Sequence, residues 1–185
     1  MTTIYLCRHG ETIENTQRIL QGHLPGHLTE NGIEQAKALG TKLKQIHYDI
    51  LICSDLQRCI DTTRIAMGDN ADITIEPMLR ERDWGNLTGM TIDFARTQSL
   101  STAESIEELL MRAERLLTKW LQLYNDKTII AIGHGLTNRA IIAVSLGIDI
   151  SQVEKMSNAE VRRLEITSPL KLRYTSAAES GATEN

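Results

Sequence analysis

The chain has 185 residues, 41% hydrophobic and 24% charged, a composition that suits one soluble globular domain. A net charge of −4 argues against nucleic-acid binding, which shows as a basic excess. No apolar run nears the ~20 residues that span a bilayer, and the start MTTIYLCRHG lacks the basic and apolar regions of a signal peptide. The expectation is a cytoplasmic protein without a nucleic-acid or membrane partner.

Ile4 to Cys7 is a short apolar run ending at Arg8 and reads as a buried strand. Thr29 to Ile46 carries Ile33, Ala36, Leu39, Leu43 and Ile46 at helical spacing, with His47 at its end facing the helix dipole. Tyr48 to Cys53 contains Ile50, Leu51 and Ile52 and reads as a second strand. Asp55 to Met67 reads as a helix with Ser54 placed to cap it. Ser101 to Tyr124 is the clearest helix. Ser101 and Glu104 have capping-box spacing, and a stripe from Ile106 to Tyr124 follows the i, i+3, i+4, i+7 rule. Arg112 to Arg115 reads as its solvated face. After a turn at Asp126-Lys127, Thr128 to Ile132 is a continuous apolar strand. Gly133 to Gly135 joins it to a helix from Leu136 to Leu146, and Val161 to Ile166 completes the strands.

Buried strands alternating with helices predict a three-layer α/β/α sandwich with a mostly parallel central sheet. It would occupy residues 1–170, with a polar tail over 171–185, disordered at its end from Ser176. Cys7, Cys53 and Cys59 have neither zinc nor disulfide spacing and read as small buried apolar residues.

Ligands of such sheets bind at the carboxyl ends of the strands. Three polar clusters fall there: Arg8-His9-Gly10, Ser54 to Arg58, and His134-Gly135. Two arginines offer planar forks of donors to phosphate oxygens, and helix N-termini after Ser54 and His134 add backbone donors. With no metal-ligand spacing nearby, the arginines would neutralise the charge themselves. Metal-independent phosphoryl chemistry without a cofactor is the expectation.

LCRHGETIEN (Leu6 to Asn15) resembles the signature of the histidine phosphatase superfamily, the phosphoglycerate-mutase-like proteins. The resemblance extends through Gln21-Gly22 with Leu28-Thr29, Gly32 and Gln35-Ala36. It continues through Ser54-Asp55-Leu56 with Arg58 and Thr62-Thr63, then Leu79-Arg80-Glu81 with Gly85 and Gly89. It ends at Ile132-Gly133-His134-Gly135 with Arg139, so the blocks run over about residues 3 to 167. It implies that His9 is a nucleophile forming a phosphohistidine, and that Arg8, Arg58 and His134 bind the transferring phosphoryl group. Glu81 would be the acid that protonates the leaving oxygen and then the base that activates water, a role that requires a proton on its carboxyl when the ester binds. Asn15, Gln21, Gly22 and the backbone of Gly135 match substrate-contacting positions, while Glu11 reads as an orienting residue rather than a catalyst. Thr12 reads as a helix cap.

The chain departs from the pattern at His27, where the family often has proline, and at Trp84, where mutases carry tyrosine; Trp84 would wall the pocket. His23 and His27 lie in a loop and do not read as a metal site. The mutases of the family hold a second phosphate and a carboxylate with extra basic residues in a long insertion. Here Met90 to Thr102 is short and offers only Arg96. A phosphatase of a small phosphorylated metabolite is therefore expected ahead of a mutase or a non-catalytic phosphate-binding module, as a monomer or homodimer.

Overall fold

A computed structural model describes residues 1–99 and 102–167. Its strands are β1 (Thr2–Arg8), β2 (Ile50–Cys53), β3 (Thr74–Ile75), β4 (Thr128–Gly133) and β5 (Val161–Ile166). They form one sheet in the order β3-β2-β4-β1-β5. β1, β2, β3 and β4 run parallel, and β5 pairs antiparallel with β1 at the edge.

β4 shows why the central strands read as unbroken apolar runs. Ile129 and Ala131 enter one core and Ile130 and Ile132 the other, so both faces need apolar side chains. Helices α2 (Glu30–Leu43) and α3 (Gln57–Met67) cover one face. Helices α5 (Ile106–Leu123) and α6 (Gly135–Leu146) cover the other, with Trp120 buried among their leucines and isoleucines. Short helices α1 (Ile13–Thr16) and α4 (Ile92–Ala95) lie in the loops above the strand ends. The three-layer sandwich is as expected from the sequence.

Several boundaries differ from expectation. α2 is capped by the Thr29 hydroxyl but ends at Leu43, so His47 lies beyond its last turn. α3 starts after Leu56, which has no side-chain cap, and Ser54 does not cap it. The capping box of α5 is Ser105 with Glu108, four residues past the expected pair. Ser101 and the tail over 171–185 lie outside the described residues. The two-residue β3 was not expected, since Thr74 and Ile75 are both exposed and carry no periodicity.

The three cysteines are free and buried, as expected. Burial pushes the Cys53 thiol up to about 12 and raises Cys7 and Cys59 well above the ordinary thiol range, so all three stay uncharged.

The loop after β1 is seated on the first turn of α2. A Cβ on Gly32 would lie 2.0 Å from the Glu11 carbonyl oxygen, and one on Gly10 would lie 2.5 Å from the Gly32 oxygen. Thr29 donates from its hydroxyl to the Glu11 carboxylate at 2.7 Å, and Gln35 accepts from the Glu11 backbone N–H at 2.8 Å. Glu11 therefore holds the loop against the first turn of α2.

Candidate active site

β1 delivers His9 to its position. The His9 backbone N–H donates to the Gly133 carbonyl at 3.1 Å, and its carbonyl accepts from Ala159 at 3.1 Å, so the end of β4 and the turn before β5 fix the residue. The Gly10 N–H donates to the Thr62 hydroxyl at 3.0 Å, which donates in turn to the Arg58 carbonyl at 2.7 Å.

The His9 Nδ1 lies 2.6 Å from the Gly10 carbonyl oxygen. A carbonyl only accepts, so Nδ1 carries the proton and Nε2 carries the lone pair. Burial, then Arg58 and Arg8, hold this imidazole well below its ordinary range, and it is neutral at pH 7.

Arg58 is 1% exposed and is anchored at every nitrogen. Its Nε donates to His134 Nδ1 at 3.2 Å, Nη2 to the Gly22 carbonyl at 2.9 Å and Nη1 to the Leu24 carbonyl. Gly22 presents that carbonyl from a backbone at φ +49°, which favours glycine. Three of five guanidinium donors are thus used, leaving one on each Nη for an anion.

His134 stands behind Arg58. Because a guanidinium only donates, His134 Nδ1 is the acceptor and Nε2–H donates to the Ser54 hydroxyl at 2.9 Å. The Cys59 sulfur sits 3.3 Å from the same Nε2. Burial, then Arg58, His9 and Arg8, hold this ring well below its ordinary range too.

Arg8 donates from Nη1 to the Met156 carbonyl at 2.6 Å, while its buried Nε–H has no partner. Gly135 leaves room for it: a Cβ there would lie 3.3 Å from Nε.

Glu81 follows a short 3-10 turn, Pro77–Leu79. Its Oε1 accepts from the backbone N–H of Arg82 at 2.9 Å and of Thr137 at 3.1 Å, and Oε2 accepts from Leu136 at 3.1 Å. The carboxyl thus rests on the N-terminus of α6, whose free N–H groups and dipole suit it. Arg80 ties this segment to the end of β2 through a bidentate pair with Asp55.

These groups surround a cavity of about 130 Å³ whose walls include Arg8, His9, Arg58 and Glu81. Asn15, Gln21, Gly22 and Trp84 line it as well, with Ile19 and Leu20. His134 and Gly135 do not line it in this conformation; they back Arg58 and Arg8. Gln21 brings a buried Oε1 without a partner to this wall. Thr12 and Asn15 form the capping box of α1, as the cap reading of Thr12 required.

Four supporting residues went unassigned in the sequence: Thr62, Ser54 as the partner of His134, Thr137 and Asn158. The Asn158 amide donates to the His9 carbonyl at 3.2 Å and to Asn15 Oδ1 at 3.1 Å. No periodicity or cap signal marks it. His23 and His27 are not paired with one another: His23 Nε2 lies 3.0 Å from the Glu81 carbonyl, and His27 lies 3.9 Å from Glu14. Among the described residues, no three His, Cys, Asp or Glu side chains group to hold a metal ion, and no helix is long and apolar enough to cross a membrane.

The family model for the histidine phosphatase superfamily (branch 1) matches residues 4–171. A relative in Enterobacter sp. (strain 638), named probable phosphoglycerate mutase GpmB, is 31% identical over 164 residues, covering 80% of this chain and 76% of that protein. A putative alpha-ribazole-5'-P phosphatase of Escherichia coli superposes with a TM-score of 0.81 at 24% identity, over 93% of this chain and 96% of that one. Bacillus stearothermophilus YhfR does so with a TM-score of 0.83 at 22% identity, over 94% and 96%.

Proposed function

We propose, for a chain that belongs to the histidine phosphatase superfamily, the metal-independent hydrolysis of small phosphomonoesters through a phosphohistidine on His9. The observation that carries this reading is the Nδ1 to Gly10 carbonyl bond of 2.6 Å, which leaves a neutral Nε2 lone pair in a cavity walled by two arginines.

In the first step Nε2 attacks phosphorus in line, the P–N bond forms and the bond to the ester oxygen breaks. The carboxyl of Glu81, in its protonated form, gives its proton to the departing oxygen. Arg8, through its unpartnered Nε–H, and Arg58, through its two remaining donors, hold the phosphoryl oxygens as charge redistributes. His134 keeps Arg58 aimed. In the second step Glu81 takes a proton from water, the water oxygen attacks phosphorus and the P–N bond breaks. Inorganic phosphate leaves and His9 is restored.

The mutase reading draws on the name of the Enterobacter relative. Such transfer needs cations for a second phosphate and a carboxylate. Between Met90 and Thr102 only Arg96 qualifies; it is solvent-exposed, 3.7 Å from Asp93, which also pairs with Arg18. That poverty favours hydrolysis.

The test is phosphate release from a panel of phosphomonoesters with chelator present, for wild type and His9→Ala. Wild-type release and a loss of about 10³-fold or more in the variant are expected, together with an acid-labile, base-stable phosphoenzyme that only wild type forms. Phosphoglycerate isomerisation outrunning release would replace this reading with the mutase one. Phosphate binding without turnover of any ester would replace it with a binding module.

A further inference from the structure

A second cavity, of about 220 Å³, adjoins the catalytic one and shares Leu20 and Trp84 as walls. Leu87, Ile92 and Ala95 complete its apolar lining, and Arg96 and Gln98 stand on its rim. The lining is held in place from several directions. Leu87 is fully buried and Ala95 nearly so. Leu20 N–H donates to Met90, Gly89 N–H to Leu20 and Ile92 N–H to Arg18, each at 2.8 Å, so the segment before Gln21 is strapped to the segment bearing α4. Trp84 is pinned by the Arg82 guanidinium, 4.4 Å from its ring centroid, and by Gly22, whose added Cβ would lie 3.4 Å from the indole.

The volumes divide the labour. Liquid water takes about 30 Å³ per molecule, so the 130 Å³ catalytic cavity holds a phosphoryl group with its ester oxygen and little more. The alcohol part must then lie outside it, and the apolar cavity that shares the Leu20 and Trp84 walls borders it. An apolar cavity of about 150 Å³ accepts benzene, so 220 Å³ accepts one substituted ring or a chain of similar size. A hydroxylated or carboxylated group would lose water there and meet few polar groups in return, the Trp84 indole N–H and the rim side chains of Gln98 and Arg96. The Arg96 side chain is 73% exposed, too solvated to clamp an anion firmly.

We infer that this annex binds the alcohol moiety, and that the enzyme takes monoesters of apolar alcohols, alkyl or aryl, in preference to phosphorylated sugars or acids. The inference rests on the phosphatase reading and refines it.

The test is kcat/KM along n-alkyl phosphates from ethyl to hexyl, a series that keeps leaving-group basicity nearly constant, with 3-phosphoglycerate as the anionic comparator. A rise of about fourfold per methylene, the transfer value for a buried CH₂, is expected until the annex fills. Ala95→Leu, which fills it, and Ile92→Asn, which makes it polar, are each expected to pull the hexyl-to-ethyl ratio toward one. A flat series in wild type, or 3-phosphoglycerate as the best substrate, would overturn the inference. Calorimetry with ethyl and hexyl phosphonate, which cannot be hydrolysed, separates the two ideas. Tighter hexyl binding without turnover of any ester would sustain the annex and sink the phosphatase reading; equal affinities would sink the annex alone.

Discussion

The rings of His9 and His134 stand 5.2 Å apart at 61° to one another, and their hydrogen bonds demand opposite tautomers. His9 gives its Nδ1 proton to the Gly10 carbonyl, whereas His134 Nδ1 receives the Arg58 Nε proton. Two imidazolium ions could not share this space with two arginines. The division also separates the rings: one leaves Nε2 without a hydrogen bond, as the proposed attack on phosphorus requires, and the other spends both nitrogens on Arg58 and Ser54. Imidazole ¹⁵N spectra should show Nδ1–H for His9 and Nε2–H for His134 at pH 7, with neither ring protonating as pH falls to 6.5. Finding Nε2–H on His9 would remove the structural basis for reading His9 as the nucleophile.

The same neutrality makes folding sensitive to acid. Both rings have folded pKa values depressed below 6.5 by burial and the arginines, whereas an unfolded histidine titrates near 6.5. Below that pH the unfolded chain binds more protons than the folded one. Stability from these residues is therefore complete above about pH 6.5 and falls as pH drops toward the folded values. Each ring contributes a slope of up to about 1.4 kcal/mol per pH unit in that window. Urea unfolding between pH 8 and 5 should show the decline, and His134→Asn should shed about one proton's worth of slope. An unchanged slope in the variant would assign the acid sensitivity elsewhere.

The strand ends were legible because a parallel strand buried on both faces writes a continuous apolar run, and His9 and His134 follow directly on two such runs. What depends on distant partners was not. Ser-x-x-Glu spacing occurs at Ser101 and again at Ser105, and local sequence cannot choose between them. The choice comes from Arg112, eight residues on, which takes the Glu104 carboxylate and leaves Glu108 to close the box. Ser54 likewise reads as a cap until His134, 80 residues away, claims its hydroxyl. The solvated-face reading of Arg112 is the clearest correction: its side chain is only 16% exposed. It lies three residues after Leu109 and four before Leu116, both core residues, and that helical position was a signal available in the sequence.

Thr137 offers a handle on Glu81. Its hydroxyl lies 2.8 Å from the Arg80 carbonyl and 3.1 Å from Glu81 Oε1. One proton cannot serve both acceptors at once. Turned to Oε1 it supports a carboxylate; turned to Arg80 it exposes a lone pair that can accept from a carboxylic acid. The hydroxyl can thus follow Glu81 through the acid and base roles proposed for it. Thr137→Val should lower kcat about tenfold, near the value of one lost hydrogen bond, and should move a limb of the pH–kcat profile. Thr137→Ser should restore both. A fall in kcat with an unmoved profile would reduce Thr137 to packing.

Arg112 sets the backbone on which Glu81 rides. Its Nε and Nη2 make 2.8 Å bonds to the two Glu104 oxygens, and Nη1 donates to the Met78 carbonyl at 2.7 Å and the Arg80 carbonyl at 2.8 Å. Both side chains are largely buried, so removing one leaves a charge without its counterion. Arg112→Met should cost about 3–5 kcal/mol of stability, measured by urea unfolding. Pairing it with Glu104→Gln should recover a large part, because the orphaned carboxylate disappears with its partner. The Arg80 carbonyl, however, would still lack its Nη1 donor in the double variant, and Thr137 and Glu81 hang from that peptide. The double variant should therefore regain stability while its kcat on any ester stays well below wild type. Recovery of both would make the pair a matter of stability alone; recovery of stability without kcat would make it the support that aims the acid.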